Sequence, residues 1–436
     1  MKKTYKALLC GAAAVAAVGI AYAMDERFFE KAKDKLTVFK CRANSKIMEQ
    51  ALPLTDAMFP GPKVVSGADS AKKIPEVLKE LNVNKVMIVT GPTVGRTIVP
   101  PIAENLERHG IGYTIYDQVE ANPSVKTVEA IRAQYLENGC DGFLAIGGGS
   151  PMDAAKAAAA RVAKPNTPIG KMAGLMKVMI KVAPIVAVPT TSGTGSEVTM
   201  GAVISDHDER HKYAIMDPNL VPKYAVLDPK LTVSMPKFVT ATTGIDALTH
   251  AVESYVTWAY NNNASNRNAE EAVVKIFRNL KRAYEDGNDL EAREAMLIAS
   301  YKAGLAFNHT GVGYVHAIAH AMGGIYNTAH GLANAVIMPI VLEDYGTAVH
   351  PQLAHLAETG VKTTGSDAEK ANAFIAAIRQ MNREMGLPTG FDFIEQKDFP
   401  QIIKWALAEG NGTYPVPVIY NEARMRHVLN RIVLEA

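Results

Sequence analysis

Residues 61–235 alternate between short apolar runs rich in β-branched residues and helical patterns, and this alternation limits the fold more than any other feature of the chain. Strands that alternate with helices build a parallel sheet covered on both faces. We therefore expect an α/β domain over residues 61–235. The predicted strands are residues 85–90, 113–116, 143–146 and 185–188, and the predicted helices include residues 71–81 and 124–138.

The character of the sequence changes near Met235 and Pro236. Long patterns with helical periodicity dominate from there on, and strand patterns almost disappear. The sequence thus predicts an all-α domain over residues 236–436. Its first helices are expected at residues 238–257, 265–285 and 290–309.

The charge balance and the cysteines exclude several classes of function. The 46 basic and 44 acidic residues give a net charge of +2 without a run of like charges, so a nucleic-acid partner is not indicated. Three scattered cysteines are too few for a disulfide framework or a thiolate metal cluster. Any metal must therefore use nitrogen and oxygen ligands.

Two polar loops follow neighbouring predicted strands. Gly147–Gly149 precede a helix for which we predict Ser150 as the N-cap, with the Asp153 side chain returning to the cap amide. Glycines and a helix N-terminus suit a pyrophosphate, although a capped turn without a ligand would look the same. The second loop, Pro189–Glu197, adds hydroxyls and glycines. Two such loops at adjacent strand ends favour a dinucleotide site.

Four histidines and one aspartate form a pattern in the helical part. Asp246 and His250 stand four residues apart on one helix face, His316 and His320 repeat that spacing, and His330 follows ten residues later. Any one of them alone is more often a satisfied core side chain. Together, imidazoles with one carboxylate suit Fe(II) or Zn(II). Spacing alone leaves open whether His320 or His330 is the ligand.

These motifs resemble those of the iron-containing (group III) alcohol dehydrogenases. The resemblance rests on the glycine loop, the Thr-Thr-x-Gly-Thr loop, Gly-Ile-Asp-Ala-Leu-Thr-His-Ala-Val-Glu and Gly-Tyr-Val-His-Ala-Ile-Ala-His, in the same order from about residue 60 onward. It implies the dehydroquinate synthase-like architecture, in which an α/β dinucleotide-binding domain with a parallel sheet precedes an all-α metal-binding catalytic domain.

The resemblance also implies residue roles. The metal ligands would be Asp246, His250, His316 and His330, and His320 would be a close histidine for proton relay or substrate contact. The ion would be Fe²⁺, with Zn²⁺ or another divalent metal as alternatives. The cofactor would be held by Asn122, Gly148, Gly149, Ser150, Thr190, Thr191, Thr194, Lys212 and Leu231.

One departure concerns the choice of cofactor. Family members often place an Asp at the end of the first cofactor-side strand, where it accepts the ribose hydroxyls and repels a 2′-phosphate. Gly91 stands there in this chain. We expect NAD as the cofactor, and because this carboxylate is missing, NADP remains an alternative.

The expected function is hydride transfer between a nicotinamide cofactor and a small primary alcohol or aldehyde, with the metal polarising the substrate oxygen. A homo-oligomer is also expected, because it is common among such enzymes. One alternative is a dehydroquinate-synthase-like lyase, which needs basic residues near its substrate, whereas residues 243–254 and 311–335 contain no Lys or Arg. A second alternative is a non-catalytic metal or nucleotide binder.

The N-terminus resembles a secretory signal. Three lysines among the first six residues precede an apolar stretch, residues 7–23, that ends in Ala21-Tyr22-Ala23. Residues 1–23 are thus a signal-like or membrane-anchor segment, and residues 24–60 are a charged, helix-like extension. Because nucleotide cofactors are held in the cytoplasm, we favour a cytoplasmic catalytic body, with a membrane tether through residues 7–23 or export as alternatives.

Overall fold

The computed structural model describes residues 33–46, 61–206 and 211–434. Residues 33–46 form a helix. The signal-like segment lies outside the described residues, and so does the predicted tether through residues 7–23. Among the residues that are described, no helix is both long and apolar enough to cross a bilayer.

A parallel sheet of six strands forms the α/β part. Its order is β1 (Lys63–Ser66), β9 (Tyr224–Leu227), β6 (Ile185–Pro189), β4 (Gly142–Gly147), β2 (Lys85–Val89) and β3 (Gly112–Tyr116). Every pair is parallel; in β2 and β4, for example, Val86 lies opposite Gly142 and Val89 opposite Ala145. All residues of β4 and β6 are buried, as expected for central strands covered on both faces.

Helices and a smaller sheet cover this central sheet. The second sheet has the order β5 (Gly174–Leu175), β8 (His211–Met216) and β7 (Gly201–Asp206), in which β7 and β8 are antiparallel. The helices are α1 (Ile74–Glu80), α2 (Pro92–Thr97), α3 (Val99–Arg108), α4 (Val125–Glu137) and α5 (Gly149–Ala163). Two buried apolar clusters, one on each face of the sheet, hold these layers together.

The elements that the structure describes after residue 236 are all helices. They are α6 (Lys237–Val256), α7 (Asn263–Glu285), α8 (Leu290–Thr310), α9 (Tyr314–Tyr326), α10 (His330–Tyr345), α11 (His350–Leu356), α12 (Asp367–Glu384), α13 (Phe399–Thr413) and α14 (Glu422–Ile432). A short π-helix, Ala357–Val361, follows α11. Helix α7 shows why the sequence folds this way: its buried residues recur at helical spacing, and an Asn262–Ser265 capping box starts it.

The fold confirms the predicted α/β sheet followed by helices, and the four predicted strands correspond to β2, β3, β4 and β6. Strands β1, β5, β7, β8 and β9 were not predicted. Strands β1, β5 and β9 have only two to four residues, and a run that short carries little periodic signal.

Candidate metal centre and cofactor cleft

The glycine loop joins β4 to α5 at the carboxyl end of the sheet. It borders a cleft of about 260 Å³. Gly91, which follows β2, lines this cleft. The other lining residues are Pro92, Thr93, Val94, Val119, Glu120, Ala121, Gly147, Gly148, Gly149, Ser150 and Pro151.

The second loop packs directly on the first. The Thr190 amide donates a hydrogen bond of 2.9 Å to the Gly147 carbonyl. A Cβ on Gly148 would lie 3.2 Å from the Thr191 hydroxyl, and one on Gly149 only 2.9 Å from the Thr194 methyl. A side chain at either glycine would therefore push a threonine of the second loop aside, and the structure brings five of the predicted cofactor residues together.

The predicted cap of α5 is wrong. The helix begins at Gly149 with Gly148 as its N-cap, two residues earlier than expected, and the Ser150 hydroxyl accepts instead from the Asn122 amide (3.3 Å). Asp153 does not return to the cap. It accepts from the Ser196 hydroxyl (2.7 Å) and the Val203 amide (3.0 Å), because the second loop and β7 lie against this face of α5.

A buried lysine completes the contact between α5 and the second loop. Lys156 is fully buried, and its Nζ donates to the Ser196 hydroxyl (2.9 Å) and to the carbonyls of Thr199 (2.8 Å) and Gly201 (2.9 Å). Burial lowers the pKa of Lys156 to about 8, and Asp153 and Glu197 oppose that shift. Sequence reasoning missed this group, although Asp153 and Lys156 are one helical turn apart.

Asn122 reaches from the α/β part to the helical part. It adopts a left-handed conformation (φ 60°), and its amide Nδ2 donates to Asn327 Oδ1 (3.0 Å), just beyond the end of α9. Asn122 therefore lies at the mouth of the cleft, between the glycine loop and the helix that carries His316.

The two remaining predicted cofactor residues lie elsewhere around the sheet. Lys212 on β8 points at α9, where a Cβ on Gly323 would lie 3.0 Å from its Nζ. Burial lowers the pKa of Lys212 to about 8. Leu231, after β9, packs against one of the apolar clusters of the sheet. Their cofactor roles stay predictions.

Three predicted ligands converge in the helical part. Asp246 and His250 lie one turn apart on α6, and His316 lies in the first turn of α9. All three are buried, and one donor atom from each lies within 4.8 Å of the others. The i, i+4 spacing on α6 thus presents a carboxylate and an imidazole to a single point.

His330 begins α10 at the edge of this group. Its Nε2 lies 3.4 Å from Asp246 Oδ1, and its side chain is 34% exposed, so it borders the open side. Close packing places it there, because a Cβ on the next residue, Gly331, would lie 2.2 Å from the Thr242 carbonyl of α6. The His320 ring stacks on that of His330 with centroids 5.1 Å apart.

Two polar residues that the sequence did not single out orient these groups. Asn334 Nδ2 donates to Asp246 Oδ1 (2.7 Å) and lies 3.3 Å from Nε2 of His316 and of His330. Glu253 Oε2 bonds His316 Nδ1 (2.6 Å). Their spacing in the sequence could have predicted both contacts, since Asn334 lies one helical turn after His330 and Glu253 lies two turns after Asp246. Such partners fix the orientation of a ligand ring.

The pKa values follow from burial and from these contacts. Burial lowers the pKa of His250 to about 3 and holds the pKa of His330 well below its ordinary value. Burial alone would raise the pKa of Asp246, but the neighbouring imidazoles outweigh it and lower that pKa. Burial likewise opposes a proton on His316, yet hydrogen bonds with Asp246 and Glu253 raise its pKa to about 9.

These residues fit a divalent metal. Asp246 is ionised, and His250 and His330 are neutral, which are the forms that bind a cation. His316 carries a proton near neutral pH, so metal binding would release that proton while Nδ1 keeps its hydrogen bond to Glu253. His250 Nδ1 is buried and lacks a hydrogen-bond partner among the described residues. A carboxylate with imidazoles and no thiolate is a donor set for Fe²⁺ or Zn²⁺.

Comparison with known proteins agrees with this geometry. Residues 61–229 match the family described as iron-containing alcohol dehydrogenase, and residues 240–433 match the Fe-containing alcohol dehydrogenase family, C-terminal. The NAD-dependent methanol dehydrogenase of Bacillus methanolicus is 36% identical over 341 residues, which are 78% of this chain and 89% of that protein.

Two further relatives also match most of this chain. Lactaldehyde reductase of Escherichia coli (strain K12) is 33% identical over 352 residues, 78% of this chain and 90% of the reductase. A solved structure of a 1,3-propanediol oxidoreductase superposes with a TM-score of 0.82 at 33% identity, covering 86% of this chain and 99% of that one. The chain therefore belongs to the iron-containing alcohol dehydrogenase family and is an oxidoreductase of that class.

Proposed function

We propose that this chain transfers a hydride between a nicotinamide dinucleotide and a small primary alcohol or its aldehyde, with one divalent ion held by Asp246, His250, His316 and His330. The observation that carries the proposal is the buried convergence of a carboxylate and two imidazoles within 4.8 Å, with His330 at its edge. Relatives named as methanol dehydrogenase, lactaldehyde reductase and 1,3-propanediol dehydrogenase support this substrate class.

The protein groups have distinct tasks in this scheme. When bound, the ion would polarise the substrate oxygen and the nicotinamide would exchange the hydride. The amides of the glycine loop and of the start of α5 bind the pyrophosphate, and Thr191 and Thr194 hold that loop in place. Glu253 and Asn334 orient the ligands. His320 accepts the hydroxyl proton of the alcohol, as a general base beside the ligands.

Fe²⁺ is the proposed ion, supported by the family, whereas the three imidazoles and the carboxylate would bind Zn²⁺ as well. The test is reconstitution of metal-free protein under anaerobic conditions with Fe²⁺ or Zn²⁺, followed by measurement of bound metal and of NADH formation from short alcohols. We expect one ion per chain and turnover with Fe²⁺. A fully loaded protein that reduces neither NAD nor NADP with any short alcohol would refute the proposal.

NAD is the proposed cofactor. Among the described residues that line the cleft there is no lysine or arginine to bind a 2′-phosphate, and the one charged residue is Glu120. Burial would raise the pKa of Glu120, but hydrogen bonds from Thr127 and Ser124 outweigh it and lower that pKa, so this side chain is anionic. We expect kcat/KM to be higher with NAD than with NADP. Gly91→Asp should widen that preference, and equal rates for both cofactors in the wild type would contradict it.

We further propose that residues 61–235 and 236–436 are the cofactor and metal domains of one active site, and that the enzyme is a homo-oligomer. The hydrogen bond between Asn122 and Asn327 supports the shared site. Within the described residues the sheet ends in β1, whose Val64 is 41% exposed, and such an edge is a surface on which a second copy can pair. Light scattering of the purified protein measures the oligomeric state directly.

A further inference from the structure

Helix α13 supplies a carboxylate to His320, the histidine beside the proposed metal ligands. His320 lies one turn after His316 on α9, and its Nδ1 is 2.7 Å from Glu409 Oε1. Tyr414, just beyond α13, donates its hydroxyl hydrogen bond to the same carboxylate oxygen. Sequence spacing gave no sign of this contact, because Glu409 is far from His320 along the chain.

The charge of Glu409 decides which nitrogen of His320 carries hydrogen. An ionised carboxylate only accepts hydrogen bonds, so Nδ1 must be the donor, and a neutral ring then offers Nε2 as its acceptor. Burial would raise the pKa of Glu409, but His320 and Tyr414 outweigh it and lower that pKa. Glu409 is therefore ionised in the folded protein.

We propose that Glu409 is a positioning residue for the dehydrogenase reaction: it fixes the ring orientation and the tautomer of His320, and Tyr414 holds Glu409 in place. This inference rests on the proposed function of His320 as the proton acceptor. In alcohol oxidation the hydroxyl O–H bond breaks and its proton passes to Nε2, while the carbon gives its hydride to the nicotinamide and the carbonyl forms. The ring then returns the proton to solvent.

The chain contains a matched control outside this site. Glu270 also bonds a histidine and a tyrosine: it lies 3.3 Å from His355 Nε2 and accepts from the Tyr255 hydroxyl at 3.0 Å. The side-chain exposures of the two glutamates are 29% for Glu270 and 31% for Glu409. Glu270→Ala thus removes a comparable cluster that does not contact His320.

The first experiment compares steady-state kinetics of Glu409→Ala, Glu409→Gln and Glu270→Ala. For Glu409→Ala we expect kcat to fall about 10- to 100-fold, as for other residues that orient an active-site histidine. The KM for the alcohol, the Kd for NADH and the bound metal should stay within about twofold of wild type. Glu409→Gln keeps an acceptor and should recover part of kcat, and Tyr414→Phe should lose less than Glu409→Ala.

Two results of this first experiment would overturn the inference. One is a kcat for Glu409→Ala equal to that of Glu270→Ala. The other is a parallel loss of bound metal and of kcat in Glu409→Gln and Tyr414→Phe, which would mean that the cluster only supports the fold.

The second experiment reads the tautomer without relying on turnover. Selective ¹⁵N labelling of the 11 histidines in the full-length protein, with and without Zn²⁺, distinguishes Nδ1–H from Nε2–H by chemical shift. We expect an Nδ1–H signal that His320→Gln removes and Glu409→Ala converts to a mixture. If wild type shows no hydride transfer but this signal depends on Glu409, the proposed function fails, and what stands is that Glu409 sets the tautomer of His320. If wild type turns over and the signal ignores Glu409, the positioning role fails alone.

Discussion

Replacing Lys156 by methionine tests how the cofactor loops are held together. Methionine keeps most of the stem volume and removes only the charge and its hydrogen bonds. The Nζ of Lys156 donates to three acceptors at 2.8–2.9 Å in the segment from Ser196 to Gly201. At about 1 kcal/mol net for each hydrogen bond, their loss accounts for about 3 kcal/mol.

The partner charges give a second estimate of the same cost, which is not added to the first because both describe the loss of one ammonium group. The half-buried Asp153 and the buried Glu197 interact electrostatically with Lys156, and removing one member of a buried ionic group costs about 3–5 kcal/mol, since the remaining charge is uncompensated. We expect the free energy of unfolding of Lys156→Met to fall by about 4 kcal/mol. Adding Asp153→Asn should recover part of that loss, because the pair is then removed together.

Urea denaturation at pH 7 and fluorescence titration with NADH measure the two consequences. Because the freed segment continues from the loop that packs on Gly148 and Gly149, the Kd for NADH should rise at least tenfold, or about 1.4 kcal/mol. Lys230→Met, which removes an exposed ion pair with Asp69, is the control and should change both quantities far less. If Lys156→Met were as stable as that control and bound NADH normally, the buried cluster would not hold the loops.

Three further predictions follow from the site. His330→Ala should lower bound metal and abolish turnover, whereas His320→Ala should lower the rate and keep the metal. Bound metal and kcat are measured on both variants, and loss of the metal from His320→Ala would mean that His320, not His330, is the ligand. Gly149→Ala should weaken NADH binding by about 1–2 kcal/mol by forcing Thr194 away, with bound metal unchanged. Burial raises the pKa of Glu197 to about 7 from its ordinary 4.5, so its proton stabilises the fold fully below pH 4.5 and that stability is lost as the pH rises to 7. Urea titrations at several pH values measure the free energy of unfolding, and Glu197→Gln should remove up to about 3 kcal/mol of its change between pH 4.5 and pH 7. The same pH dependence in the variant as in the wild type would contradict this prediction.

Much of the fold could be predicted because its signals are local. The runs that became β4 and β6, and β2 after Lys85, are apolar over their whole length, as strands buried on both faces must be. Strand β3, at the edge of the sheet, is only partly buried, and its aromatic and β-branched residues predicted it. The pairing of Asp246 with His250 is likewise local, because a helix turns once in 3.6 residues. The short strands β1 and β9 escaped prediction, since their place in the sheet depends on each other and not on their own patterns.

Local patterns in the chain are enough to read the order of an α/β part and a helical part, the glycine and hydroxyl loops, and the residue types that can bind an ion. Which of these groups meet depends on the tertiary structure. It places His330 3.4 Å from Asp246, turns Asp153 to the second loop instead of the helix cap, and brings Glu409 to His320. Periodicity fixes which face of an element a side chain occupies, whereas contacts between elements depend on how closely those faces pack.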